Sequence, residues 1–194
     1  MRRQSGQSIV EMALILPLLL IVLFGLMEFG YLIFAYSTVS QAARNGAEAA
    51  AQLPPYESWL NYRNNPPSDS DYPGWRGDPC VNAVLQAIES DSTLFSGDIN
   101  EGRDIVDFVT IRYPDGGATR NLTARGPIEV SISYPVRGIT PLFQLLNFNG
   151  SGSLITLRVT QRRSLENLGN DPTKPRGVAC AANMADFREL YPSN

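Results

Sequence analysis

Residues 6–36 read GQSIVEMALILPLLLIVLFGLMEFGYLIFAY, and this stretch decides the architecture. From Met12 to Tyr36 the only charge is Glu28. As a helix rising about 1.5 Å per residue, that run reaches roughly 37 Å, enough to cross a hydrocarbon core of about 30 Å. No second stretch of the 194 residues comes close. The chain therefore spans a membrane once or not at all. Arg2 and Arg3 precede the run. The positive-inside bias keeps them cytoplasmic and exports everything after about Tyr36. A removable secretory signal is the alternative. Against it, the run is longer than an h-region of about 7–15 residues and meets no small-residue cleavage site or turn. Pro17 inside the run predicts a kink or local loosening, which membrane helices tolerate.

The helical pattern continues past the apolar run, so Ser8 to about Leu53 reads as one long helix. Val39, Ala42, Ala43, Gly46, Ala50 and Leu53 share a face of its second half. Ala42, Gly46 and Ala50 place a small residue at every fourth position, and small residues let helices approach closely. Packing on the chain's own head fits this pattern, and so does packing against copies of itself. Residues 54–79 follow as a connecting segment. Pro54, Pro55, Pro66, Pro67, Pro73 and Pro79 forbid a long regular element there. The interleaved Trp59, Tyr62, Tyr72 and Trp75 are too many for a free linker, so the segment is expected to pack on the head.

The head, residues 80–194, carries both periodicities. Val81, Val84, Leu85 and Ile88 lie on one face of a short helix from Pro79 to Ser90, and Pro79 suits its first turn. Ile105, Phe108, Val109, Ile111 and Tyr113 predict a strand, and Asp115-Gly116-Gly117 a turn. Ile128, Val130, Ile132 and Tyr134 alternate with polar residues, a half-buried strand. Residues 154–161 form a third. Thr140 to Leu146 is expected to be a short helix or apolar loop, and Met184 to Leu190 a last short helix. The expected fold class is α+β: a long N-terminal hydrophobic helix, then a small extracytoplasmic head with a short helix and an antiparallel sheet.

Composition excludes several functions. Histidine is absent, which removes the usual general base, the Ser-His and Cys-His pairs and the commonest metal ligand. No catalytic residues, metal or cofactor are expected, and the chain is not read as an enzyme. Net charge is −3, Lys174 is the single lysine, and the arginines are scattered. No basic stripe invites nucleic acid. Asp98, Asn100 and Asp104 miss the EF-hand spacing and read as a solvated acidic loop. The sequons at Asn121 and Asn149 carry little weight. Cys80 and Cys180 are far from any CxxC spacing. In an oxidising compartment two cysteines usually pair, and a bridge here would tie the end of the connecting segment to the C-terminal tail. Two separate buried thiols are the alternative.

Glu11 is the most informative side chain. A carboxylate at the edge of a membrane-spanning run is costly unless paired. A cut after Gly6 would create a new amine at Gln7, and Glu11 of one subunit would neutralise the amine of its neighbour in a bundle. Equally, Glu11 fits a position at headgroup level. Glu28 fits the outer interface, or burial against a partner.

Gly6-Gln7-Ser8-Ile9-Val10-Glu11-Met12-Ala13-Leu14, Leu16-Pro17-Leu18-Leu19, Glu28-Phe29-Gly30 and Ala42-Ala43-Arg44-Asn45-Gly46-Ala47 together resemble the N-terminus of the TadE/TadG family, the pseudopilins or minor pilins of tight-adherence pilus systems. The resemblance covers roughly residues 5–51. Val130-Ser131-Ile132-Ser133-Tyr134-Pro135, Pro141-Leu142 and the strand running to Arg163 also resemble the family's C-terminal part, while residues 54–125 match nothing. The resemblance implies a leader of residues 1–6 removed between Gly6 and Gln7 by a prepilin peptidase, and an assembly helix over 7–53 in which Glu11 acts. Its implied partners are other pilin or pseudopilin subunits, the Tad assembly platform and the bacterial inner membrane. The implied location is a single-pass inner-membrane protein with its C-terminal domain outside, or a surface pilus. The alternative is a membrane-anchored, adhesin-like binding domain that never enters a filament.

Overall fold

The computed structural model describes residues 7–90, 94, 104–114, 127–141, 143 and 155–192. Gly6, Asp98, Asn100, the Asp115–Gly117 turn and both sequons lie outside the described residues. So does most of the predicted Thr140–Leu146 element. Helix α1 runs from Gln7 to Gln52 and continues through Pro17. It is followed by α2 (Glu57–Asn61), α3 (Pro79–Ser90), strands β1 (Val109–Arg112), β2 (Pro127–Val136) and β3 (Ile155–Ser164), and α4 (Met184–Leu190). The strands form one antiparallel sheet in the order β1-β2-β3. By contacts the chain divides into two units, one of residues 1–37 with 135–157 and the other of 38–134 with 158–194.

In the second unit, the small face of α1 is built into the core. Val39, Ala42, Ala43, Ala47 and Ala50 are all buried. A Cβ placed on Gly46 would stand 2.6 Å from Ile88 Cγ1 of α3 and 3.4 Å from Val130 Cγ1 of β2. The absent side chain at Gly46 therefore lets α1 touch both the helix and the sheet. Of the two packings the sequence allowed for Ala42, Gly46 and Ala50, this is the one within the chain. The alternation of β2 does the rest: Ile128, Val130, Ile132 and Tyr134 are buried on one face. Val109 and Ile111 of β1 stand opposite Ile132 and Val130.

The first strand begins later than its residues predict. Ile105–Asp107 is a single 3-10 turn. The Asp104 carboxylate accepts from the Val106 N–H at 3.3 Å. The N–H groups of Asp107 and Phe108 bond back to Asp104 and Ile105. This local competition from an Asp side chain diverts apolar residues from the ladder.

The connecting segment packs as its aromatics require. Trp59 is fully buried and its indole N–H donates to the Trp75 carbonyl at 3.0 Å. Tyr62, Tyr72 and Phe187 of α4 surround it with ring centroids 5.4, 5.9 and 5.5 Å away. Cys80 and Cys180 are bonded, and both are buried. Beside them lies the fully buried Asp78. One of its oxygens accepts from the N–H groups of Cys80 and Val81, both at 3.1 Å, capping α3. The other accepts from the Ala181 N–H at 2.8 Å. One carboxylate thus joins the start of α3 to the C-terminal tail.

Candidate membrane-anchoring and assembly segment

In the first unit most of α1 is left uncovered. Ile9, Leu14, Leu18, Leu26 and Phe29 are 71, 73, 67, 66 and 63% exposed. Exposed large side chains continue to Ile33, Phe34 and Tyr36, while Phe24, Glu28, Tyr31 and Leu32 on one face are half-buried. Each such side chain left in water forgoes about 1.5–3 kcal/mol of burial. A run of this length is therefore a surface made for an apolar environment. Burial begins at Ala35 and Val39. The same helix is an exposed apolar rod at one end and a core element at the other.

The two carboxylates of the rod stand in different surroundings. Glu11 is exposed near the start of the helix, about 26 Å along the axis from Glu28 by helical rise. Glu28 is half-buried. Its two oxygens accept from consecutive backbone N–H groups, Ile139 at 3.1 Å and Thr140 at 3.2 Å. The sequence offered the outer interface or burial against a partner for Glu28; these bonds lie within the chain and favour neither. Nothing local to Glu28 announces them, because the donors belong to residues more than a hundred positions away.

The sheet contributes a second buried carboxylate that sequence reading missed. Glu129 lies on the face of β2 opposite the core, yet it is fully buried. Arg112 of β1 donates to one of its oxygens and Arg162 of β3 to the other, the latter at 2.6 Å. Both guanidinium groups are largely exposed. Next to this clamp Ser131 and Thr160 share a hydrogen bond of 2.8 Å. Burial alone would raise the Glu129 pKa. The hydrogen bonds and charges of Arg112 and Arg162 outweigh it and hold the group below the usual carboxylate range. The alternation of Glu129 with Ile128 and Val130 was the available signal. It located the face and not the partners.

A groove of about 380 Å³ lies between α2 and β1, lined by Leu60, Asn61, Asn64, Trp75, Thr110 and Arg112 among others. The Phe108 carbonyl accepts from Ser133 across the ladder, so the Val109 carbonyl points the other way, to the open edge. The Arg63 guanidinium donates to that carbonyl and lies 5.3 Å from the Trp75 ring centroid. A side chain thereby occupies part of the edge at which a foreign strand would pair. Among the described residues no group of three or more Cys, Asp or Glu is arranged to hold a metal ion.

No curated protein matches the chain, and no solved structure does. The model of one protein family matches residues 6–48, a span that takes in the exposed rod, Glu11, Glu28, Ala42 and Gly46. The description of that family is TadE-like protein, and the N-terminal segment of this chain is similar to it.

Proposed function

We propose that this chain is a minor pilin or pseudopilin of a tight-adherence pilus, held by α1 in the bacterial inner membrane or packed by it into a filament. A TadE-like segment is tied in general to Tad pilus systems. The observation that carries the reading is the apolar surface of α1, exposed on every side from Ile9 to Leu23 and continued by Leu26, Phe29, Ile33, Phe34 and Tyr36. Such a surface serves equally in lipid or against neighbouring rods. Arg2 and Arg3 set the N-terminus inside and the head outside. Cleavage between Gly6 and Gln7 by a prepilin peptidase frees an amine, and Glu11 pairs with the amine of an adjacent subunit. The apolar faces supply adhesion and this charge pair sets the register. Pilin subunits and the assembly platform are the partners, and the head has a structural role in assembly and adhesion rather than catalysis.

The polar groove beside Trp75 and Arg112 favours a second reading, an anchored extracytoplasmic binding domain that stays out of the filament. Mass spectrometry of the protein from native membranes separates the two. A mature N-terminus at Gln7, with the chain recovered in sheared filaments, supports the pilin. An intact Met1 and absence from filaments overturns it. In the pilin reading, Glu11→Ala inserts normally into the membrane and fails to assemble.

A further inference from the structure

The two N–H donors to Glu28 belong to one short loop, Arg137 to Pro141, and its surroundings place that loop on the exposed rod. Beyond Glu28, one side of α1 stays apolar and exposed for two further turns, through Phe29, Ile33, Phe34 and Tyr36. Those two turns add about 12 Å of helix. Whatever medium covers that surface reaches the level of the loop. We propose that the loop residues Arg137–Pro141 are a lipid-contacting lobe, held by Glu28 at the level of the outer leaflet of the bilayer that α1 spans; this rests on the membrane-anchor reading given above.

Four features of the loop fit immersion. First, several of its backbone N–H groups are answered by protein groups, as a segment at lipid depth requires. The N–H groups of Ile139 and Thr140 go to Glu28. The Phe143 N–H bonds to the Thr140 carbonyl at 3.1 Å, and Pro141 has no N–H to satisfy. Second, its outer side chains are apolar: Ile139 is 56% exposed, and Pro141 is exposed beside it. Third, the loop is closed on itself. A Cβ on Gly138 would fall 1.9 Å from Phe143 Cδ1, so the ring packs directly on the backbone there and holds the turn tight. Fourth, the sequence carries no ionisable residue from Gly138 through Leu157. The exchange is mutual. A carboxylate in an apolar rod is tolerable when charge-assisted hydrogen bonds answer it, and the loop can enter lipid because Glu28 takes its N–H groups.

The test uses the full chain in vesicles of phosphatidylethanolamine and phosphatidylglycerol. Nitroxide labels are placed by Ile139→Cys, Leu19→Cys or Asn64→Cys, the native cysteines being bonded. Collision rates with oxygen and with a water-soluble nickel chelate then report depth. The expected result is that the label at 139 meets the nickel chelate several-fold less often than the label at 64, and is shallower than the label at 19. A water-like value at 139 with a lipid-like value at 19 overturns the lobe and leaves the anchor standing. A water-like value at 19 overturns both. Adding Glu28→Ala is expected to return the label at 139 to the water-like value. An unchanged depth would remove Glu28 as the restraint.

Discussion

Glu129 shows how a charge is kept inside a sheet face otherwise open to solvent. Its carboxylate is bracketed by Arg112 and Arg162 from the two neighbouring strands, and its folded pKa lies below the unfolded value. A depressed carboxylate pKa contributes stability that is present above the unfolded pKa of about 4.3 and is lost as pH falls through the folded value. Glu129→Gln should therefore flatten the acid limb. Between about pH 5 and pH 3, the wild-type urea midpoint should fall more steeply than that of the variant. Parallel acid limbs would contradict the clamp. Gly46 makes the opposite point, a residue valued for what it lacks. Gly46→Ala gains up to about 1 kcal/mol of helix propensity but drives a methyl into Ile88, whose side chain is fully buried. Overpacking of this kind costs about 1–3 kcal/mol. A net loss of roughly 1 kcal/mol in chemical denaturation is expected, and a rise in stability would show that Ile88 has room to move.

At the scale of elements, α1 joins two chemistries in one uninterrupted helix of 46 residues. Its first half is exposed and apolar, and its second half is buried through small residues. The halves should fail separately. Leu19→Arg with Leu23→Arg adds about 6–8 kcal/mol to insertion at the helix centre. The expected outcome is loss of the protein from the membrane pellet, with the denaturation midpoint of the remaining fold unchanged. A variant that still pellets with membranes would refute the anchor. The edge strand β1 is treated differently. It is four residues long, and Arg63 covers one of its open carbonyls. A short, blunted edge resists pairing with foreign strands.

For the molecule as a whole, the region around Cys80 and Cys180 is where distant parts of the chain are fastened. Asp78 ties α3 to Ala181, the Ser58 hydroxyl donates to the Ala182 carbonyl at 2.6 Å, and the Tyr113 hydroxyl donates to the Pro55 carbonyl at 2.7 Å. The bridge closes a loop with a sequence separation of 100. Chain entropy assigns such a loop on the order of 4–5 kcal/mol, and removal of native bridges costs about 2–5 kcal/mol. Replacing Cys80 and Cys180 together by Ser should lower the unfolding free energy by that range. Dithiothreitol should lower the wild type similarly and leave the double variant unaffected. Equal stability of both proteins would place the strength of this region in Asp78 and the aromatic cluster instead.

Features that depend on near neighbours are legible in the amino acids themselves. The apolar run of α1, the face of α3 and the alternation of β2 follow from periodicity, which needs only a few consecutive residues to express itself. The late start of β1 escapes that reading because one Asp side chain outcompetes strand propensity locally. What periodicity cannot state is the identity of the partner across a gap. Glu28 meets Ile139 and Thr140, Glu129 meets Arg112 and Arg162, and Gly46 meets Ile88 and Val130. Each pairing depends on where strands and loops come to rest after long stretches of chain have closed. The order of residues is enough to require an apolar rod and an α+β head. Which backbone groups answer the rod's second carboxylate is settled by the folded chain alone, because a hydrogen-bond partner is chosen by proximity in space.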